Sequence, residues 1–418
     1  MLTEKNIIDF CNSYNYDIRQ SHNGRWIDQK CAADVVTVVS DCIYNYVIEN
    51  GNVIFTTGDI WHYKYTVENV ESVFKKPRVE SKFAIHEYDK FFQQPMEMLA
   101  YAHVLSKYKR GNKNVYCVND ISVLEYIALR EKNALLFLKT YIEKVLRDSE
   151  IFLPFEQFFK KQTKEAYENV KRAFSDFTVR HTRINGEVEC NRIFIKVLNP
   201  LAYYRNSRGT ERGKLSRQTI TYDMLMYNRN NFRDIYADKP KGVTRKEYAT
   251  AHPVEVNEAY YHYQSAKAKR FLRIFNDQTR GGQTEHLETA HLNDKAIHMH
   301  HIFPESVYPE ICYYLENIIA LTPTQHLNYA HPNGHTQEID EQYQYLLLLS
   351  KADRIRESLC DREADKIYDF SNFLFVLNVG FDNDEILQIK DMDFVAVINA
   401  INIHYQLRKE EIYGTIRL

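Results

Sequence analysis

A short segment in the last third of the chain concentrates residues that could do chemistry. His300 and His301 are adjacent, Asn317 lies sixteen residues after His301, His326 lies nine residues further on, and His331 follows it. An imidazole can accept a proton near neutral pH or bind a metal ion. The segment could therefore supply a general base together with a metal-binding group.

Phosphodiester hydrolysis is a reaction that such groups suit. It needs a deprotonated water and a positive charge that stabilises the developing negative charge. One histidine can take the proton from the water, and a divalent cation held by the other histidines can supply the positive charge.

Local patterns indicate which elements must position these residues. They predict the order strand, loop, strand and helix, over residues 296–302, 305–316, 318–321 and from 322 onward. Thr322, Pro323 and Gln325 form a capping-box pattern, with threonine at the N-cap and glutamine at the third helical position. Because side chains alternate along a strand, His300 and His301 should point to opposite sides unless the strand ends between them.

This order of elements resembles the ββα-metal fold of the HNH nucleases. His300-His301 with Pro304, and Asn317 followed by an apolar pair, a Thr-Pro step and His326, resemble colicin-type HNH domains in particular. The resemblance covers residues 297–331. It implies that His301 is the general base, that His300 and His326 are metal ligands, and that Asn317 braces the loop.

One position departs from the colicin-type motif. Those domains carry a further ligand four residues after their helical histidine, where this chain has Ala330, and His331 comes one residue later. Pro332 disfavours helical geometry at His331, so the helix could end there and let the imidazole turn back. Asn328 and His335 are the alternatives for this ligand.

A basic segment elsewhere in the chain indicates contact with a polyanion. The formal net charge is −2, but residues 203–248 hold eleven Lys and Arg against five Asp and Glu, a local balance of +6. Arg and Asn can pair with base edges, and Lys and Arg with phosphates. The candidate DNA-binding residues are Arg205, Arg208, Arg212, Lys214, Arg217, Asn228, Arg229, Asn230, Asn231, Arg233, Lys239, Lys241 and Arg245.

A more diffuse resemblance connects this region to bacterial type II restriction endonucleases that end in an HNH domain, especially those of type IIS. It rests on residues 25–31, 87–92, 209–216 and 227–234. It implies a recognition module for a short asymmetric site on double-stranded DNA and cleavage at a short fixed distance. It also implies a companion DNA methyltransferase that protects the host DNA. Since one such site cuts one strand, we expect a transient homodimer on DNA.

We predict an α+β protein with a mostly helical N-terminal DNA-recognition region, a ββα-metal nuclease domain and a helical C-terminal extension. The recognition region covers residues 1–255 and could consist of one domain or of two subdomains, 1–150 and 151–255. Residues 256–280 form a connecting helix and hinge, 281–345 the nuclease domain and 346–418 the extension. Within them, residues 123–146 could form one helix or two, residues 192–198 read as a strand, and residues 256–275 read as an amphipathic helix.

Seven cysteines without a CxxC pair indicate a reducing compartment, and no apolar run is long enough to span a bilayer. We therefore expect a cytoplasmic protein with no membrane partner.

The resulting expectation is a sequence-specific DNA endonuclease of type II restriction that leaves 5′-phosphate and 3′-hydroxyl ends. Mg²⁺ is the expected cation, and Mn²⁺, Co²⁺ or Ni²⁺ could substitute for it. The alternatives are another HNH enzyme (modification-dependent, nicking or homing), a non-catalytic metal-containing DNA-binding regulator, and an RNA-directed toxin.

A competing pattern lies near the N-terminus. Asp17, followed by Asp28 and Lys30, fits the loose spacing of a different class of restriction-nuclease site. Such a pattern arises often by chance, so we do not assign the chemistry to it.

Overall fold

The computed structural model describes residues 2–74, 79–80, 84–227, 240, 242–251, 258–287, 294–331, 339–361 and 366–415. The chain divides into two compact units, Leu2–Asn231 and Phe232–Leu418. The described residues are mostly helical with three small two-stranded sheets, which confirms the α+β class. Among them, no helix combines the length and the apolar character needed to cross a membrane.

The first unit is a helical assembly that carries two β-hairpins. Its described helices are α1 (Glu4–Asn12), α2 (Ile18–Ser21), α3 (Ala33–Asn50), α4 (Thr57–Trp61), α5 (Lys64–Phe74), α6 (Ala84–Tyr101), α7 (Ile121–Leu129), α8 (Glu131–Asp148), α9 (Phe152–Lys161), α10 (Lys164–His181) and α11 (Glu187–Tyr204). The hairpins pair β1 (Leu105–Arg110) with β2 (Lys113–Val118), and β3 (Arg208–Glu211) with β4 (Lys214–Thr219). Helix α3 is buried on most of its surface and packs against α6, α7 and α8, so it forms the centre of this unit.

Residues 123–146 form two helices. Arg130 has extended backbone angles, φ −160° and ψ 153°, and it ends α7 and begins α8. The interruption in the apolar pattern therefore marks a real break.

The strand predicted over residues 192–198 is wrong, because these residues lie in the middle of α11. Ile193, Phe194, Val197, Leu198 and Leu201 are all buried. Their spacing fits one face of a helix, and burial of that face outweighs the strand preference of the β-branched and aromatic residues.

The second unit contains the histidine-rich segment. Its described elements are α12 (Arg245–Ala251), α13 (Glu258–Thr279), β5 (His298–His301), β6 (Ile318–Leu321), a π-helix (Gln325–Ala330), α14 (Glu341–Cys360), α15 (Phe370–Phe381) and α16 (Phe394–Thr415). Short 3₁₀ turns cover Pro309–Ile311 and Leu315–Asn317 within the predicted loop. The helix predicted over 256–275, the loop and the second strand are confirmed, and the first strand is shorter than predicted.

A buried carboxylate connects several of these elements. Glu285 is fully buried; one of its oxygens accepts hydrogen bonds from the Ala320 amide at 3.0 Å and Lys351 Nζ at 3.2 Å. The other oxygen accepts from Arg280 at 2.5 Å and from the Tyr368 hydroxyl at 2.8 Å. Burial by itself raises the pKa of the Glu285 carboxyl, but Lys351 and Arg280 outweigh it and lower that pKa to about 2.

Replacing Glu285 with glutamine should destabilise the second unit at neutral pH by about 3 kcal/mol, because the substitution leaves buried cations without their counter-charge. The carboxylate contributes its full stability above its ordinary pKa of 4.5 and loses it as the pH falls toward 2. The difference between wild type and variant should therefore shrink between these values. Urea unfolding at several pH values, followed by far-UV circular dichroism, measures it.

Two internal controls sharpen this measurement. Trp26 and Trp61, the two tryptophans of the chain, both belong to the first unit, so tryptophan fluorescence reports on that unit alone. Glu357 forms an exposed ion pair with Arg354, and Glu357→Gln should cost at most about 1 kcal/mol. Equal losses in the Glu285 and Glu357 variants would contradict the proposed importance of the buried carboxylate.

Candidate metal centre

Strand β5 presents its histidines to two different surroundings. It pairs antiparallel with β6, with His298 opposite Leu321, His300 opposite Ile319 and His301 opposite Ile318. His298 and His300 face the π-helix, where the ring of His298 stacks on that of His326 at 4.6 Å between centroids. His301 instead contacts the loop after β5 and helix α13. The alternation expected of a strand therefore separates the two adjacent histidines.

Three imidazoles converge beside β5. His300, His326 and His331 each offer one ligating nitrogen, and these atoms all lie within 4.8 Å of one another. His300 and His331 are buried, and His326 is half-buried. Of the alternatives for the last ligand, Asn328 is exposed, whereas His331 is buried, and His335 lies outside the described residues.

The helix that carries His326 differs from the expected one. The reciprocal bonds of the predicted capping box are present, with the Gln325 amide donating to Thr322 Oγ1 at 3.2 Å and the Thr322 amide donating to Gln325 Oε1 at 3.0 Å. The helix then continues as a π-helix, and His331 ends it with extended backbone angles. A regular α-helix is therefore the wrong prediction here.

This π-turn explains how His331 joins the group. In an α-helix, residues five apart lie about 140° apart around the axis, whereas residues four apart lie on nearly the same side. A π-helix bonds residue i to residue i+5, so its wider turn brings residues five apart toward one side. His331 lies one residue further from His326 than in the colicin-type spacing. The wider π-turn compensates for this extra residue.

The chemistry of these side chains fits a metal ion. His300 Nε2 and His326 Nδ1 are buried and have no hydrogen-bond partner in the part of the chain that the structure describes. A buried polar atom without a partner costs about 1–3 kcal/mol, which a bound ion would remove. Burial and then the neighbouring histidines lower the pKa of His300 well below its ordinary value and that of His326 to about 4. Both imidazoles are therefore neutral near pH 7, which is the form that binds metals.

His301 is held with one nitrogen directed at a backbone carbonyl. Its Nε2 lies 2.8 Å from the Cys312 oxygen, which can only accept, so Nε2 carries the proton and Nδ1 carries the lone pair. The nearest carboxylate to Nδ1 is that of Glu305, at 3.7 Å. Burial and then the positive charge of Lys269 lower the pKa of His301 to about 4. The side chain is therefore a neutral proton acceptor at physiological pH.

Asn317 ties the two ends of the loop between the strands. Its Oδ1 accepts from the Phe303 amide at 2.8 Å, and its Nδ2 donates to the carbonyls of Phe303 at 3.0 Å and Ile311 at 3.2 Å. The backbone oxygen of Asn317 accepts from the Ile302 amide at 2.8 Å. Because the side chain is fully buried, these bonds fix the chain immediately after His301.

Helix α13 adds residues that the motif does not contain. Ser265 donates to Glu305 at 2.9 Å and lies 3.3 Å from His301 Nε2. Lys269, one turn further along, is half-buried, and its charge acts on His300, His301 and His326. It forms no hydrogen bond or ion pair with any residue that the structure describes. The sequence pattern could indicate that this helix has a buried face, but not that the face meets the histidines.

Four of the candidate DNA-binding residues lie on the hairpin β3–β4, two lie at the ends of helices, and the others lie outside the described part of the chain. Arg205 pairs with Glu143 at 3.0 Å, and Arg208 Nε donates to the Ser216 carbonyl at 2.8 Å, so both have partners within the first unit. Arg212, Lys214 and Arg217 are exposed on the hairpin. Asn228, Arg229, Asn230, Asn231, Arg233, Lys239 and Lys241 lie outside the described residues, and Arg245 begins α12.

The residues of the competing acidic pattern near the N-terminus bond to other side chains of the first unit. Asp17 pairs with Arg19 at 2.9 Å, Asp28 pairs with Arg25, and Lys30 bonds to Tyr227. These contacts give both carboxylates structural roles.

Comparison with known proteins adds no family: the chain matches no protein-family model, no curated protein and no solved structure.

Substituting any one of His300, His326 and His331 with alanine should weaken metal binding by about 100-fold or more, because loss of a supporting residue alone costs about 10–100-fold. Titration with Co²⁺, followed by its visible absorption, and calorimetry with Zn²⁺ measure this. His62→Ala, an exposed histidine of the first unit, is the control. Equal affinity in the control and in all three variants would refute the site.

Proposed function

We propose that this protein is a metal-dependent endonuclease that hydrolyses phosphodiesters of double-stranded DNA. The observation that carries the proposal is the convergence of His300, His326 and His331 on one side of β5, with His301 on the same strand holding a free Nδ1 lone pair. This combines a nitrogen ligand set with an adjacent general base.

The residues would divide the work as follows. His301 Nδ1 would take a proton from the attacking water, while its Nε2–H bond to the Cys312 carbonyl holds the ring in the proton-accepting tautomer. Asn317 would keep the loop, and with it the Cys312 carbonyl, in place through its bonds to Phe303 and Ile311. The Lys269 ammonium would stabilise negative charge on the phosphate.

A divalent cation bound by the three imidazoles would stabilise the charge that develops on the scissile phosphate. Imidazole nitrogens suit Mn²⁺, Co²⁺, Ni²⁺ and Zn²⁺, whereas Mg²⁺ prefers oxygen ligands. Mg²⁺ as the cation in the cell stays a prediction.

The ligand set favours a catalytic over a structural metal. Structural zinc sites usually have four protein ligands, often with cysteine, whereas catalytic sites keep an open position. Within the described residues the group has three members. Cys312 is the nearby thiol, but it donates to the Tyr261 carbonyl at 3.5 Å, and burial raises its pKa, which disfavours the ligating thiolate.

Two features of the first unit support DNA as the substrate class. It carries exposed cations on hairpin β3–β4 and is larger than non-specific cutting requires. We infer sequence-specific cleavage of the type II restriction kind, with type IIS as the narrower proposal and a companion methyltransferase and transient dimer as its corollaries. A modification-dependent, nicking or homing enzyme would share the chemistry, and cleavage of methylated beside unmethylated DNA separates these possibilities.

Wild type should cut unmethylated phage DNA into discrete fragments with Mg²⁺ or Mn²⁺, and His301→Ala should reduce the rate by about 100-fold or more, since it removes the general base. Gel analysis and sequencing of the ends measure this. His62→Ala should cut like wild type, and Lys30→Ala should retain the cleavage chemistry. If the wild-type protein is folded and binds DNA but cuts it with none of the metals, the nuclease proposal is refuted and a DNA-binding regulator is favoured.

Lys269→Gln should lower the cleavage rate by roughly 10–100-fold without weakening metal binding, because it removes a charge that acts on the phosphate rather than a ligand. Single-turnover cleavage and Co²⁺ titration separate the two effects. Arg273→Gln, an exposed cation on the same helix, is the matched control. A proportional loss of metal affinity in Lys269→Gln would show that the residue supports the ligand site instead.

A further inference from the structure

The hairpin β1–β2 in the first unit is a second basic element, separate from the 203–248 segment. Residues 105–118 contain Lys107, Lys109, Arg110 and Lys113 and no acidic residue. The strands pair in register from Leu105 opposite Val118 to Arg110 opposite Lys113. The hairpin therefore concentrates positive charge at its turn.

The base of this hairpin is fixed to the core of the unit. Glu97 of α6 accepts from the Tyr116 hydroxyl at 2.7 Å, from Asn114 at 3.2 Å and from Lys107 Nζ at 2.6 Å. Phe55 and Tyr116 exchange backbone hydrogen bonds of 2.9 and 2.8 Å. Lys107 is thus neutralised within the protein, and the strands are held firmly enough to present the turn in a defined position.

The remaining cations are not neutralised. Lys109, Arg110 and Lys113 are exposed, and they form no ion pair or hydrogen bond with any residue that the structure describes. Arg110 and Lys113 lie directly opposite each other across the hairpin. Like charges in that position destabilise a hairpin, and no described residue offsets that cost with an ion pair to them.

A solvated surface is the simplest alternative, and a comparison within the same unit argues against it. The exposed cations Lys160, Lys164 and Arg172 lie on α9 and α10, and α10 also exposes the acidic residues Glu165, Glu168 and Asp176. Glu168 and Asp176 each lie four residues after a cation, on the same face of that helix. The tip of β1–β2 has no such acidic neighbours in its own sequence and carries the aromatic ring of Tyr108, which is 54% exposed. A polyanion is the partner that this combination fits.

We propose that the tip of β1–β2, formed by Lys109, Arg110 and Lys113, is a DNA-contacting element that binds phosphates of the double helix. A two-stranded ribbon fits the width of the major groove, and Lys and Arg at its tip reach the flanking phosphates. Such contacts position the protein on the duplex rather than specify the sequence. The inference rests on the proposed function for the identity of the polyanion, and on the hairpin itself for the location of the surface.

The test compares two triple variants with the same charge change. Lys109→Gln/Arg110→Gln/Lys113→Gln and Lys160→Gln/Lys164→Gln/Arg172→Gln are each made in the His301→Ala chain, without divalent cation, so that the DNA stays intact. Fluorescence anisotropy with a labelled duplex gives the dissociation constant over a series of NaCl concentrations. Circular dichroism and thermal melting verify that each variant is folded.

The hairpin variant should bind at least about tenfold more weakly near 0.1 M salt, and the slope of log affinity against log salt should fall by about 0.9 for each lost phosphate contact. The control should bind like its parent. Unchanged binding by the hairpin variant, or equal losses in both variants, would overturn the hairpin assignment while leaving the nuclease proposal intact. A single-stranded RNA that displaces the duplex would overturn DNA as the partner. Absence of DNA binding and cleavage in the wild type would instead overturn the proposed function.

Discussion

The buried carboxylate of Glu285 connects the elements of the second unit that surround the histidine-bearing strand. A fully buried charge is tolerated only when its lone pairs are filled and its charge is balanced, and here Arg280, Lys351, Tyr368 and the Ala320 amide do both. Because Ala320 belongs to β6, the network fixes that strand relative to α13 and α14. β6 in turn pairs with β5, so the Glu285 network helps to position the strand that carries the histidines.

The histidine centre shows how a small change in helical geometry can preserve a ligand set. His331 is displaced by one residue from the position that the colicin-type spacing would give, and the π-turn compensates for it. A π-turn is rare in proteins and is often found at functional sites. Its presence between two of the three converging imidazoles agrees with a requirement for those imidazoles to meet.

Electrostatic asymmetry links the two units to one proposed activity. The net charge of the chain is close to zero, yet two hairpins of the first unit expose cations near their tips, and the second unit holds Lys269 beside neutral histidines. In the proposed activity, cations in these places would attract a polyanion and bind its phosphates, while the buried, neutral imidazoles would serve as ligands and base. In this proposal, the charged nitrogens of Lys and Arg bind the substrate, and the neutral nitrogens of the histidines bind the metal and accept the proton.

Local features of the site could be predicted from the sequence. The capping box at Thr322 and Gln325, the strand of Ile318–Leu321 and the alternation of His300 and His301 each depend on neighbouring residues, and the structure contains all three. Tertiary packing determined the features that depend on residues distant along the chain. It made a helix of residues 192–198, because burial of one face overrode strand preference. It also brought Lys269 and Ser265 to the histidines, and the π-turn that returns His331 to them was not predictable from local patterns. Sequence spacing constrains only contacts within a few residues. The helix over residues 192–198 and the approach of α13 to the histidines depend on contacts between residues that are distant along the chain.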